Sequence, residues 1–547
     1  MRRDFAAAES LLDEALALRP DDRDTRFNLG RVYEVQQRYD DALAAYGAIL
    51  AAHPADVPAL LRVGTVRYVL GDYGAAADAF AAALAARPDD QLSALNFALT
   101  ATLLGRADEA ARVLWAAVER HPDDAAAWTA LADALRELRR GDEAAAAANA
   151  ALRLDPENVH ALVLLGQTAY DRGAFDEAEA AFARAAGAAP DAAEPRMNLG
   201  VLYHGLGHVD EALAHGEAAL ARGPDDPLAH LNLGMTLLLA GERARGFAEV
   251  EWRLRDPRMR AHFPYLDRIP LWDGAPMRGK RLLIAREQGI GDFVLWSRLF
   301  AQVRERGATV AVEAPAALAP LYADFPGIDE LYADRCPPER LDSFDLHVPL
   351  CSLPHILGAL DPETVRDAAP YLHANEEAAN AFRARFAARG AGMKVGIAWA
   401  GEPTHLLDAF RSVRLADFAP LGAVPNVVWI SLQKGARAGE ALAPPLELMP
   451  LSLGPELESF ADTAAAIAAL DLVIAVDTAV AHVAAAMGAP VWLLHGFGNY
   501  WLWGAQGTDS PWYPTLRIFR QHRPNEWNGV FADVRDALTT RAREHVQ

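Results

Sequence analysis

Small and apolar positions recur at a fixed interval through the first half of the chain. Prolines fall at Pro20, Pro54, Pro88, Pro122, Pro156, Pro190 and Pro224, each 34 residues after the last. Ten residues beyond each stands a small residue: Gly30, Gly64, Ala98, Ala132, Gly166, Gly200 and Gly234. Twelve residues before each stands an alanine: Ala8, Ala42, Ala76, Ala110, Ala144, Ala178 and Ala212. Small residues at fixed places let two helices approach closely, and the proline ends the second helix before the next begins. The pattern predicts an all-α solenoid of helix pairs, each stable only because its neighbours cover its faces. Residues 1–19 supply only the second helix of a pair, either as an edge cap or as part of a unit that begins upstream. Gly246 replaces the next expected alanine and the register then lapses, so the solenoid is expected to span 1–256, with a linker over 257–279.

Three positions held in one register resemble the tetratricopeptide repeat. Eight residues after four of the prolines stands asparagine, at Asn28, Asn96, Asn198 and Asn232. Such amides, lining an inner curve, can bind an extended client backbone without regard to its sequence. They can equally be solvated polar positions. Arg62, Ala130 and Leu164 interrupt the ladder.

From about residue 280 the pattern changes to short apolar runs separated by helical stretches. "RLLIA", "TVAVEA" and "FDLHVPL" read as strands of one unit, 280–375; "MKVGIAWAG", "NVVWISLQ", "LDLVIAVD" and "APVWLLHG" read as strands of a second, 376–547. Buried strands alternating with helices imply parallel sheets that take ligands at the strand carboxyl ends. The expected architecture is therefore an α-solenoid followed by an α/β region of two Rossmann-like lobes facing across a cleft.

In "LDLVIAVDTAVAHVAAAMGAPVWLLHG" a strand ends at Val476, Asp477 and Thr478 make the turn, and His482 lies about one turn into a helix. A helix starting there points free N–H groups and a positive dipole end at the cleft, which suits a diphosphate. The competing reading is an aspartate cap with a histidine packed beneath the next strand. In the first lobe, "EQGIGDF" turns on Gly289 and Gly291 before Asp292. It lacks the span of a dinucleotide fingerprint and the Lys-Ser/Thr of a P-loop.

The string D-T-x-x-x-H-x-A-A-x-x-G-x-P-V resembles the donor motif of family 9 glycosyltransferases, the heptosyltransferase group, and in particular bacterial proteins that join tetratricopeptide repeats to such a domain. The resemblance implies a GT-B fold and a nucleotide-sugar donor contacted by Asp477, Thr478 and His482; Ala479 stands where those enzymes usually have glycine. It implies a basic residue after the first strand of the second lobe, for which "AWAGEPTHLLDAFRSVRL" offers Arg411 beside Ser412, with His405 and Asp408 in the same loop. "SLQKG" places Gln433 and Lys434 at the next strand end, where the family holds the nucleoside. It also implies that Asp292 is the catalytic base, acting with inversion at the sugar; a helix cap is the rival role. "GNYWLWG" and "DSPWYP", within 498–514, can stack on a ring or pack back onto the first lobe.

Composition narrows the partners. Seventy-four acidic residues against 52 basic ones leave a net charge of −22, which argues against nucleic acid or an anionic membrane. Two cysteines, Cys336 and Cys351, without C-x-x-C spacing, read as reduced thiols. The first residues do not read as a signal peptide, and no apolar run is long enough to span a membrane. A cytoplasmic location is expected. No Asp-x-Asp sits at a strand end, so neither a metal nor another cofactor is expected. The leading expectation is transfer of a sugar to serine or threonine of a client held in the repeat groove, with flagellin suggested by the resemblance. The alternatives are transfer to lipopolysaccharide or another glycan, and a scaffold with an inactive transferase domain.

Overall fold

The computed structural model describes residues 5–358, 369–403, 408–498, 500–524 and 526–546. The chain divides into two compact units, Met1–Leu202 and Tyr203–Gln547. The first is a tetratricopeptide solenoid. It begins with α1 (Phe5–Leu18), which buries no residue, and continues through α2 (Arg23–Val35) and α3 (Tyr39–Ala52) to α10 (Val159–Asp171) and α11 (Phe175–Ala188). From α2 to α10 each first helix of a pair starts three residues after its proline, just past a capping residue. There Asp22, Asp56, Asp90, Asp124 and Asn158 each accept a hydrogen bond from the backbone N–H three residues on. That cap satisfies an orphan donor in each of these five pairs and fixes where the helix begins.

Size complementarity sets the distance within a pair. A Cβ on Gly30 would lie 2.7 Å from the Tyr46 ring, and one on Gly64 or Gly166 would lie 2.5 Å from Phe80 or Phe182. Where the first helix carries alanine instead, at Ala98 and Ala132, the partner position sixteen residues on is Leu114 or Ala148. The ladder asparagines lie on the first helices: Asn28 is exposed and the other three half-buried. Asn198 accepts from the Gln167 amide at 3.2 Å, whereas Arg62, which breaks the ladder, hydrogen-bonds Glu34 at 2.8 Å.

The second unit opens with α13 (Val209–Leu220), α14 (Pro227–Leu239) and α15 (Arg243–Val250) and continues into two parallel sheets. In the first, β1 (Arg281–Ala285), β2 (Thr309–Ala314), β3 (Glu330–Ala333) and β4 (Leu346–Pro349) are ordered β3-β2-β1-β4. In the second, β5 (Met393–Ala398), β6 (Val427–Ser431), β7 (Leu451–Ser452), β8 (Leu472–Val476), β9 (Val491–His495) and β10 (Leu516–Arg520) are ordered β10-β9-β8-β5-β6-β7. The described helices of this region include α16 (Ile290–Ser297), α17 (Phe300–Glu305), α18 (Leu353–Ile356), α19 (Glu376–Ala387), α20 (Asp408–Arg411), α21 (Phe460–Ile467), α22 (Ala479–Ala486) and α23 (Trp527–Val546). Each sheet reverses strand order beside its first strand, β1 or β5, which is where such sheets open a ligand crevice.

The last helix pair of the solenoid shares the core of the α/β region. Leu238, Leu239, Phe247 and Val250 are buried in the same cluster as Trp272, Trp296 and Trp501. The compact second unit thus takes in α13 to α15, well before the boundary expected at residue 256. Just beyond α15, the guanidinium of Arg253 meets both Glu287 oxygens (2.6 and 2.9 Å), Glu251 (2.6 Å) and Ser352 Oγ (2.8 Å). Arg253 and Glu287 are both buried, and the carboxylate holds the guanidinium protonated despite that burial. No described helix is long and apolar enough to cross a membrane.

Candidate functional site

Strand β1 is apolar and buried, and the chain leaves it through Gln288, at φ 61°. Gly289 is the residue before α16, and Asp292 lies three positions on, in the first turn rather than at the cap itself. Its Oδ2 accepts the Gly289 N–H at 3.2 Å. Gly291 brings this turn against the second lobe: a Cβ there would lie 2.9 Å from Cδ2 of His482. Helix α16 thus packs against α22 through its first turn.

On the second lobe β8 ends at Val476 and Thr478 precedes α22. The cap position belongs to Thr478, not Asp477, yet its hydroxyl makes no capping bond; Thr478 Oγ1 is a buried oxygen with no hydrogen-bond partner among the described residues. A hydroxyl left so beside free helix N–H groups is placed to meet an anion. His482 is buried, with Nδ1 3.1 Å from the Tyr513 hydroxyl and Nε2 3.7 Å from Asp477 Oδ1. The second distance is electrostatic rather than a hydrogen bond. Ala479, the first residue of α22, contributes backbone alone.

The two carboxyls of the site are displaced in opposite directions. Burial pushes Asp292 above its ordinary range, against the pull of His482, the Gly289 amide and the Tyr500 phenol. Burial acts on Asp477 too, but His482, with the Trp503 indole and His495, holds it below the carboxylate range. Trp503 Nε1 completes no hydrogen bond of good geometry among the described residues, so its effect on Asp477 is that of a nearby N–H dipole. One acid is thereby suited to carry a proton and the other to remain an anion.

The remaining expected residues sort unevenly. Asp408 Oδ1 accepts from Ser412 Oγ at 2.8 Å and lies 3.5 Å from Arg411 Nε, while Ser412 Oγ accepts the Gly401 N–H at 2.9 Å. Gly401 is what lets them sit there, since a Cβ on it would lie 2.7 Å from Arg411 Nη2. Asp408 therefore holds Arg411 at the end of β5. His405 lies outside the described residues. Gln433 is fully occupied: Oε1 accepts from the N–H of Trp399 and Ala400 at 2.9 Å each, and Nε2 donates to the carbonyls of Ala400 (3.0 Å) and Lys434 (2.9 Å). It ties β6 to β5 and keeps no polar group for a nucleoside. Lys434 donates to the Leu457 and Glu458 carbonyls and is exposed.

Three residues of the site were not singled out in the sequence. Tyr500 donates to Asp292 Oδ1 at 3.3 Å. Tyr513 packs against His482, ring centroids 5.8 Å apart. His495, at the end of β9, is buried and pushed down to about 4, chiefly by that burial. Its place at a strand carboxyl end beside Asp477 was the available signal. The aromatic stretch 498–514 packs onto the first lobe, with Trp501 6.3 Å from Trp296 and Trp512 edge-on to it at 5.6 Å. A cavity of about 1080 Å³ between β10 and α23, lined by Arg517, Asp536 and Arg541 among others, contains none of the site residues.

Comparison with known proteins finds two kinds of match along the chain. Tetratricopeptide repeat models match residues 1–63 and, in overlapping windows, 95–250. The model of glycosyltransferase family 9 (heptosyltransferase) matches residues 426–530, the span from β6 through β10 that holds Asp477, Thr478 and His482. The chain is thus a tetratricopeptide-repeat protein that carries a family 9 glycosyltransferase domain. Among curated proteins it is similar to Protein FlbA of Caulobacter vibrioides, 29% identical over 292 residues, which are 49% of this chain and 48% of that one. The chain spans about half the length of that relative. Among solved structures it is similar to a thermophilic tetratricopeptide protein of Thermus thermophilus (29% identity, 33% of this chain and 97% of that one, TM-score 0.31). It is also similar to a tetratricopeptide protein of Parabacteroides merdae (18% identity, 43% and 93%, TM-score 0.37).

Proposed function

We propose that the protein is a GT-B glycosyltransferase that moves a sugar, with inversion, from a nucleotide-activated donor to serine or threonine hydroxyls of a protein client held by the repeats. The observation that carries this reading is the meeting of Asp292 on α16 with His482 and Asp477 at α22, the two carboxyls displaced oppositely. Asp292 takes the proton of the client hydroxyl as that oxygen bonds to the anomeric carbon. The bond from that carbon to the diphosphate oxygen breaks, and the nucleoside diphosphate leaves with the electron pair. A base whose affinity for protons is raised by burial suits that transfer.

The departing charge is met by the N–H groups that begin α22, by the Thr478 hydroxyl and by the Arg411 fork held by Asp408, with no metal in the scheme. The repeats favour a protein over a free glycan as acceptor, since such arrays are binding surfaces, and the asparagines of the first helices are the client-contacting amides of this reading. The free thiols of Cys336 and Cys351 suit the reducing cytoplasm, where we place the reaction.

The test has two arms. A thermal-shift panel of nucleotide sugars should yield one donor that raises the melting temperature. Intact-mass analysis of co-expressed flagellin, the first client to try, should then show one or more sugar increments that Asp292→Asn abolishes while donor binding is kept. A panel with no binder, or a client modified equally by Asp292→Asn, refutes the reading.

A further inference from the structure

The base is not oriented by its own lobe alone. One carboxylate oxygen, Oδ2, accepts the Gly289 N–H at 3.2 Å from within the turn. The other, Oδ1, accepts the phenol of Tyr500 at 3.3 Å, from the loop that follows β9 in the opposite lobe. We propose that Tyr500 is a positioning residue for the catalytic base, its hydroxyl holding the Asp292 carboxylate at the angle from which it receives the acceptor proton. The proposal rests on the transfer reading above and adds to it a residue outside the donor motif.

The loop is built to deliver that phenol. Gly498 and Gly504 stand at φ 117° and 70°, so the chain turns sharply on either side of it. The next residue, Trp501, is buried and lies nearly parallel to Trp296 of α16, at 6.3 Å and 10°. Trp503 lies 5.2 Å from the His482 ring. Tyr500 is thus fixed relative to α16 by a neighbour that packs on the same helix. A carboxylate has about four acceptor positions. Two fixed donors, one on each oxygen, leave the others open and stop the group from rotating. The ionisable groups facing the pair are His482 and Asp477 from α22 and its turn, and Cys351 from the segment after β4.

Tyr500→Phe keeps the ring and removes only the hydroxyl. The full chain, labelled with carboxyl-¹³C aspartate, is titrated by NMR between about pH 4 and about pH 8, with Asp292→Asn assigning the resonance. The midpoint of Asp292 is expected to rise by about half a unit or more in Tyr500→Phe, because a donor to the charged form is lost. With the donor found in the panel, kcat is expected to fall about tenfold at unchanged donor KM, and the acidic limb of the rate profile to move up with the midpoint. An unchanged midpoint overturns the proposal. A shifted midpoint, together with a wild-type chain that transfers no sugar, overturns the catalytic role and places the fault with the transfer reading rather than with the bond.

Discussion

Gly291 and His482 touch across the two lobes so closely that a single added methyl has nowhere to go: it would lie 2.9 Å from Cδ2 and 3.0 Å from Nε2 of the imidazole. The ring cannot retreat easily, since Tyr513 holds Nδ1 and the Trp503 ring lies 5.2 Å away. Gly291→Ala is therefore expected to cost about 1–3 kcal/mol and to lower transfer more than a stability loss alone would. Melting curves and single-turnover rates measured together check both parts.

Asp292→Asn is expected to stabilise the fold at neutral pH while abolishing turnover. The native carboxyl is raised by burial, so the folded state binds the proton more tightly than the unfolded chain. Stability is then lost as pH climbs from the unfolded to the folded value, and the asparagine variant escapes that loss. Melting temperatures should differ by roughly 1–3 °C at neutral pH and converge in acid, where both side chains are neutral. Differential scanning calorimetry across pH reads the sign directly.

Thr478→Val should leave stability unchanged or slightly improved, because the hydroxyl it removes is buried without a partner among the described residues. Donor affinity should fall about tenfold, the loss of one hydrogen bond to a charged group. Calorimetric titration of the donor against both proteins decides it.

Breaking the buried Arg253–Glu287 pair from one side, with Arg253→Met or Glu287→Gln, should cost about 3–5 kcal/mol, since the partner charge is left in the core. The double variant should cost far less than the sum. Urea unfolding of the four proteins gives the cycle.

In the repeats, Gly166→Ala would drive its methyl to 2.5 Å from Phe182 and should destabilise by about 1–3 kcal/mol. Adding Phe182→Leu should restore most of that, because the chain already pairs Ala98 with Leu114 at the equivalent positions. Thermal denaturation of the single and double variants tests the compensation.

The repeats were legible because their signals are local and periodic: a proline, a small residue and an alanine per unit. Strands β1, β2, β4, β5, β6, β8 and β9 were legible as well, being short, largely buried apolar runs. Strands β3, β7 and β10 were not. Tyr332 and its neighbours on β3 are only half-buried, β7 has two residues, and β10 alternates exposed Arg517 with buried Leu516 and Ile518 directly after an aromatic loop. Asp477, Thr478 and His482 could be placed because they lie within six residues of one another. Tyr500 could not be tied to Asp292, 208 positions away, since no local pattern announces a contact between two lobes. Gln433 misled for the opposite reason. Its strand-end position suggested ligand chemistry, and the backbone groups that consume its amide become visible only when β5 and β6 are side by side.

The reach of Arg253 into the turn that carries Glu287 has a consequence for how such a protein can be taken apart or recombined. An α/β half cut at the end of the repeat pattern would lose the arginine, strand a carboxylate in its interior and bare Trp296 where Phe247 had covered it. Any exchange of repeat arrays must carry α14 and α15 along with the α/β region, which makes the last pair of helices hereditary property of that region rather than of the array.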